Sequence, residues 1–446
     1  MKQKARGKSQ ERVRSRGAKE LDPTSLAYSI RQSAGLLAQV LEGCSLTQAW
    51  EAALRRVQWN DAQRGAVRDL TWNALRDYGR GDRVLEKLLS SPLPENVRSI
   101  LLVALSRLER RPQEAYRIVD QAVDAVASMA PGLKGVVNGV LRNRMRQEDS
   151  FRELLLRDEV AHWQHPDWWI KRVRRSYPTE WQSVLEAGNS HPPMCLRINC
   201  RKVTENEYAR MLEQAGISWR RIASGAFLLE TPLPAERVPG LLDGWVSVQD
   251  AGAQRAAHLL GPQNGERVLD ACAAPGGKTA HILELADVEL LALDADAKRL
   301  ARVDANLTRL GLSAKTCTAD ARQVEAWWDG QTFDRILADV PCSASGVVRR
   351  HPDIKWHRRN KDITGFARLQ AELLESLWQT LAPGGTMLYA TCSVFDEENT
   401  EQVQAFCARN ADAERQPLDG REELQLLPDA VHDGFYYALL RKRNKA

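Results

Sequence analysis
At 446 residues, 43% hydrophobic and 27% charged, the chain is long enough to bury two or three cores, which points to a soluble protein of two to four domains. No apolar run reaches membrane-spanning length and the N-terminus lacks the apolar centre of a secretory signal, so a helical membrane span is excluded and a cytoplasmic location is expected. The net charge of +5 is uneven: residues 1–20 hold eight cations against two acids, a net +6 that leaves the rest of the chain at −1. A basic tail over residues 1–22 is either a solvated, disordered end or an arm for a polyanion such as RNA. Eight cysteines occur without a CxxC pair, so neither a disulfide framework nor a metal site is expected.

From about Ser25 to Arg146 apolar residues recur three and four apart, as in Leu36-Leu37-Val40-Leu41 and Leu101-Leu102-Leu105-Leu108. Ser45 and Asn60 suit helix N-caps, and Pro92, Pro94, Pro112 and Pro131 punctuate the run. An all-α domain over residues 23–147 follows. Its stretch Lys134 to Arg146 pairs an apolar face (Val136, Val137, Val140, Leu141) with a basic side (Lys134, Arg142, Arg144, Arg146), read either as a solvated face or as an RNA contact. Residues 148–243 form a small α+β module. It opens with Trp168 and Trp169 among Lys171, Arg172, Arg174 and Arg175, a mixture that suits base stacking or, equally, core packing. Strands are expected at 196–199 and 226–230, with a helix from Glu205 to Ala215 between them.

Residues 244–446 make the last domain. A strand at 244–250 and a helix from Ala251 to Leu260 lead into Val268-Leu269 and Ala271 to Ala274, read as a buried parallel strand that ends in Pro275-Gly276-Gly277. A helix opening at Lys278 follows, so a side-chain-poor loop faces a helix N-terminus: a ligand cradle, or an ordinary strand-to-helix connection. Neither GxxxxGK[ST] nor GxGxxG is present. Strand and helix then alternate, as in a doubly wound parallel sheet, with strands at 289–293, 315–319, 333–338 and 386–390. Polar residues close four of them: Asp294, Asp320, Asp339 and the pair Thr391-Cys392, at the sheet edge where ligands bind. Asp294 is placed for ribose hydroxyls. Two acids without phosphate-binding groups favour an adenosine that carries an amino acid, S-adenosylmethionine. Cys342 after Pro341, and Cys392 after Thr391, approach one cavity. Carbon 5 of a pyrimidine becomes nucleophilic only after a thiolate adds to carbon 6, a step for which Asp339 would donate to ring N3.

The motifs Asp270-Ala271-Cys272-Ala273-Ala274-Pro275-Gly276-Gly277-Lys278-Thr279, Asp339-Val340-Pro341-Cys342, Arg349-Arg350-His351-Pro352-Asp353 and Ala390-Thr391-Cys392-Ser393 resemble those of the RNA 5-methylcytosine methyltransferases of the NOL/NOP/Sun group. The first domain, with Leu133 to Arg142, resembles the NusB-like domain of the bacterial small-subunit members of that group. The resemblance implies a multidomain chain with a Rossmann-like α/β methyltransferase domain at its C-terminal end. It implies S-adenosylmethionine bound by Cys272, Ala273, Ala274, Pro275, Gly276, Gly277, Lys278, Asp294, Asp320 and Asp339. Cys392 would be the nucleophile and Cys342 would assist product release, the reverse of the assignment in DNA cytosine methyltransferases. The implied substrate is a cytosine of small-subunit (16S) rRNA; separately, a monomer without metal is expected. Ala271, Val340 and Ala319 stand where Leu, Ala and Gly are common, and none of these departures removes a reactive group. Methylation of another RNA or a protein, and a non-catalytic rRNA-binding assembly factor, are the competing expectations.

Overall fold
The computed structural model describes residues 20–444, so the basic tail lies outside the described residues apart from its last three positions. The chain folds as two compact units that divide after Gln164.

The first unit is helical. Ser25 caps Leu26–Leu41 by accepting from the Tyr28 N–H at 3.1 Å, and Asn60 and Gln63 close a capping box on Asp61–Arg76. Leu37, Val67, Leu101, Ile118 and Leu141, from five different helices, are fully buried at its centre. Helices Glu148–Arg157 and Glu159–Trp163 belong to this unit, with Phe151 and Leu155 buried, although the sequence had assigned residues 148–164 to the middle module. On helix Lys134–Arg146 two expectations change. Val136 is 40% exposed, outside the core face, and Arg144 is buried in an ion pair with Glu109 (2.5 Å), so the exposed basic side is Lys134, Arg142 and Arg146.

The second unit begins with the small α+β module. Strands β1 (Met194–Ile198), β2 (Trp219–Ala223), β3 (Ala226–Leu229) and β4 (Val246–Val248) form an antiparallel sheet in the order β2-β3-β1-β4. Helix Glu205–Gln214 covers it through Tyr208 and Leu212. Trp169 of the Trp- and Arg-rich stretch is core: it is 1% exposed and its ring meets Phe395 edge-on at 5.1 Å.

The Rossmann-like domain is built on β5 (Arg267–Asp270), β6 (Glu289–Asp294), β7 (Lys315–Thr318), β8 (Phe333–Asp339), β9 (Leu381–Thr391), β10 (Ala413–Gln416), β11 (Leu424–Leu426) and β12 (Phe435–Lys442). Their order is β10-β12-β9-β8-β5-β6-β7, with β11 on β12. The five strands β5 to β9 are parallel, but β12 runs antiparallel between β9 and β10, so the sheet is mixed rather than wholly parallel. Residues 271–274 leave the sheet as a loop, and β5 ends at Asp270. Successive side chains feed two layers. Val268, Leu337 and Leu388 pack towards helices Ala251–Leu260, Gly277–Leu285 and Ala297–Leu310, whereas Leu269, Ile336 and Met387 pack towards Asn360–Thr380 and Thr400–Arg409. The chain reverses its direction of travel across the sheet between β5 and β8, the point at which open α/β sheets form their ligand crevice.

Candidate active site
The loop from Ala271 to Gly276 lies at that crevice. Gly276 adopts φ +94°, closed to most side chains, and a Cβ there would fall 3.0 Å from Val303 Cα. The turn therefore brings backbone against backbone and starts helix Gly277–Leu285 immediately afterwards. A buried ion pair anchors this helix: Arg197 of β1 meets both carboxylate oxygens of Glu284 (2.7 and 2.8 Å) and donates to the Gly277 carbonyl at 2.7 Å. Neither member was legible as a site residue, because Arg197 reads as one position of a short strand.

Three strand ends supply carboxylates. Asp294 accepts from the Ala274 N–H (3.1 Å) and the Asp296 N–H (3.0 Å), which ties the end of β6 to the glycine loop. Asp339, closing β8, accepts from Lys278 Nζ at 2.6 Å. Burial opposes charge on Lys278, yet the Asp339 carboxylate beside it keeps the ammonium pKa above its ordinary value. Asp320 lies two residues beyond β7 and is held by Arg322 (2.7 Å), whose hydrogen bonds keep the Asp320 carboxyl below the usual range; Arg322 also pairs with Glu372 (2.7 Å). Asp270 belongs to the same cluster and was not assigned a role from sequence. It is buried, Thr279 Oγ1 donates to its Oδ2 at 2.7 Å, and its Oδ1 has no donor among the described residues. Burial pushes its pKa up to about 7. Cys272 sits among these acids, and burial with the charges of Asp339, Asp270 and Asp294 holds its thiol neutral. A Gly-lined cradle whose four acids outnumber its three cations, with Lys278 on Asp339, Arg299 3.6 Å from Asp294 and Arg322 on Asp320, fits a nucleoside that carries an amino acid better than one that carries phosphates.

The two strand-end cysteines meet. Cys342 follows β8, Cys392 follows β9, and their sulfurs are 3.3 Å apart. The hydrogen bond with Cys392, together with burial, raises the Cys342 pKa well above its ordinary value. The loops that carry them are laced together: the Gly346 N–H donates to the Cys392 carbonyl at 2.8 Å and the Gly434 N–H to the Gly346 carbonyl at 2.9 Å. Gly346 has no room for a side chain, since a Cβ would lie 2.3 Å from the Gly434 carbonyl oxygen. Among the described residues no group of three or more His, Cys, Asp or Glu could hold a metal ion, and no helix is long and apolar enough to cross a membrane.

A Rossmann-like sheet with a glycine cradle at its switch point follows a small antiparallel module and a helical unit, and together with its family matches this makes the chain a multidomain methyltransferase. Family models match each part: "16S rRNA methyltransferase RsmB/F" over residues 257–441, the ferredoxin-like domain of RsmF/B-like methyltransferases over 165–236, and the NusB family over 29–146. The ribosomal RNA small subunit methyltransferase B of Vibrio cholerae is 43% identical over 422 residues, covering 92% of this chain and 97% of its own length. That of Escherichia coli O6:H1 is 43% identical over 425 residues, covering 92% and 98%. The crystal structure of PH0851 superposes with a TM-score of 0.78 at 25% identity, over 95% of this chain and all of its own. The chain belongs to the RsmB/F family of 16S rRNA methyltransferases.

Proposed function
We propose that this chain transfers a methyl group from S-adenosylmethionine to carbon 5 of a cytosine in small-subunit rRNA, with Cys392 as the nucleophile. The observation that carries this reading is the pair of thiols 3.3 Å apart at the ends of β8 and β9, beside the Lys278–Asp339 pair. Methylation of an exocyclic amine requires no thiol, whereas carbon 5 of a pyrimidine does. The cofactor, when bound, supplies an electrophilic methyl on a sulfonium. Residues 272–278 with Asp294, Asp320 and Asp339 would hold it: Asp294 at the ribose hydroxyls, and Lys278 with the helix N-terminus at the amino-acid carboxylate.

The remaining chemistry belongs to the chain's own groups. Cys342 keeps its proton while Cys392, 3.3 Å away, gives up its own, and the Cys392 sulfur adds to carbon 6 of the ring. The proton released by Cys392 passes through the Asp339 carboxylate to ring N3, which leaves the adduct neutral, and Lys278 holds that carboxylate in place at 2.6 Å. Once carbon 5 carries the methyl group, Cys342 gives its proton to the Cys392 sulfur and takes the carbon 5 proton in return, as the bond from that sulfur to carbon 6 breaks and the ring double bond re-forms. The exposed Lys134, Arg142 and Arg146 of the helical unit serve as RNA contacts.

Incubation with radiolabelled cofactor and small-subunit rRNA tests the reaction, and a denaturing gel tests the roles. Cys392→Ala is expected to abolish methylation and the covalent protein–RNA band, whereas Cys342→Ala is expected to leave that band trapped. The opposite pattern reverses the assignment. RNA binding without transfer by the unaltered protein favours the non-catalytic assembly factor, and bisulfite mapping of rRNA from cells lacking the protein locates the cytosine.

A further inference from the structure
Each active-site cysteine is followed by a serine, Cys342-Ser343 and Cys392-Ser393, and both serines donate to one carboxylate. Glu398 closes the short turn Asp396–Glu398 ahead of helix Thr400–Arg409 and is wholly buried. Its Oε1 accepts from the Ser343 N–H (2.7 Å) and from Gln370 Nε2 (3.1 Å). Its Oε2 accepts from Ser393 Oγ (2.6 Å) and from Ser343 Oγ. These four donors come from the loop after β8, the loop after β9 and helix Asn360–Thr380. Gln370 also donates to the Pro341 carbonyl at 3.0 Å, and Ser345 Oγ lies 3.0 Å from Ser393 Oγ while accepting from the Val394 N–H at 2.8 Å.

Burial disfavours charge on Glu398 while the Ser343 and Ser393 bonds favour it, and no ion pair to Glu398 occurs among the described residues. A carboxylate in such a place costs free energy that an apolar side chain of similar size would not. What the four bonds hold in return is a distance. The β8–β9 ladder fixes the two strands, but beyond Asp339 and Thr391 the chain leaves the sheet, and Glu398 is the shared acceptor one residue past each thiol.

We infer that Glu398 is the positioning residue that sets the separation of the Cys342 and Cys392 sulfurs, and through it the hand-over from adduct formation to release. The hand-over rests on the cysteine roles proposed above; the spacing does not.

The two are separable by experiment on the full-length chain. Dibromobimane, in which each of two thiols displaces one bromide, reads the spacing directly as the bridged peptide pair carrying Cys342 and Cys392. Glu398→Leu, which keeps volume and removes both acceptors, is expected to lower bridging about tenfold relative to single alkylation of the same thiols, with Glu398→Gln intermediate. On RNA, Glu398→Leu is expected to accumulate the covalent band about fivefold and to lower kcat, with cofactor affinity and the KM for RNA within about twofold. Should melting curves show that Glu398→Leu does not fold, Ser393→Ala, which deletes one hydroxyl, replaces it with the same expected direction. Unchanged bridging in folded variants overturns the inference. Loss of bridging with unchanged turnover overturns the hand-over. Bridging in the unaltered protein that forms no adduct on rRNA overturns the cysteine mechanism and leaves the spacing role to the bridging result alone.

Discussion

Asp270 shows how much one side chain at the end of β5 carries. Burial disfavours the ionised form inside the fold, since Thr279 Oγ1 satisfies one oxygen and the other is buried without a donor among the described residues, and its pKa stands at about 7 against an ordinary value of 3.8. The sign of the pH effect follows. Between about pH 4 and pH 7 the unfolded chain sheds a proton that the folded chain keeps, so this residue lowers stability progressively over that window and no further above it. Asp270→Asn retains an acceptor for Thr279 and cannot ionise. Its stability relative to the unaltered protein should therefore rise across the window, by on the order of 4 kcal/mol between pH 3 and pH 8, as read from denaturant melts at several pH values. A pH-independent difference would contradict the assignment. Cofactor affinity should move the opposite way, falling about tenfold in calorimetric titration, because a free carboxylate is what an amino-acid ammonium would pair with.

At the scale of elements, the turn at Gly276 couples loop to helix. Gly276→Ala must place a Cβ against Val303 Cα at 3.0 Å with φ at +94°, a strain of about 1–3 kcal/mol. The backbone relieves it by moving the first turn of Gly277–Leu285, so a drop in melting temperature and loss of cofactor binding are expected together; a variant that melts lower yet binds normally would show that the turn is structural only. This turn, and strands β5, β6, β8 and β9, were legible because apolar runs bounded by Gly, Pro or Asp mark strands whatever packs beside them, whereas β7, KTCT, was legible only from its place between a helix and Asp320. The rest was not, for identifiable reasons. Strands β2 and β10, WRRIA and AERQ, are polar pieces that pair on one side only, and the place of β12 between β9 and β10 is a tertiary pairing that no periodicity encodes. Val136 fits the apolar spacing of its helix but projects outward, and Arg144 reads as solvated yet finds Glu109 inside. Asp396, Glu397 and Glu398 form one acidic run, and only burial separates the third from its neighbours. The cysteines and the glycine cradle were visible as motifs; Glu398 and the Arg197–Glu284 pair became visible only as contacts.

For the whole molecule, the excess positive charge of the chain lies in residues 1–20, so RNA affinity in the described part must come from arrangement rather than total charge. In the helical unit, Tyr116, Lys134, Asn138 and Arg142 line a shallow groove between helices Ala115–Ala127 and Lys134–Arg146. Tyr116 is 81% exposed, offering a ring face for a base beside cations for phosphates. Lys134→Glu with Arg142→Glu should weaken binding of a small-subunit rRNA fragment about tenfold at low salt and flatten the dependence of log affinity on log salt by roughly one to two units. The single-turnover rate at saturating RNA should stay within about twofold, because neither residue belongs to the methyltransferase domain that carries the thiols. Fluorescence anisotropy across a salt series checks the first expectation and single-turnover methylation the second. An unchanged salt slope would assign RNA capture to the second unit or to the basic tail, and a fall in single-turnover rate with affinity intact would mean that the helical unit orients the target base as well as holding the RNA.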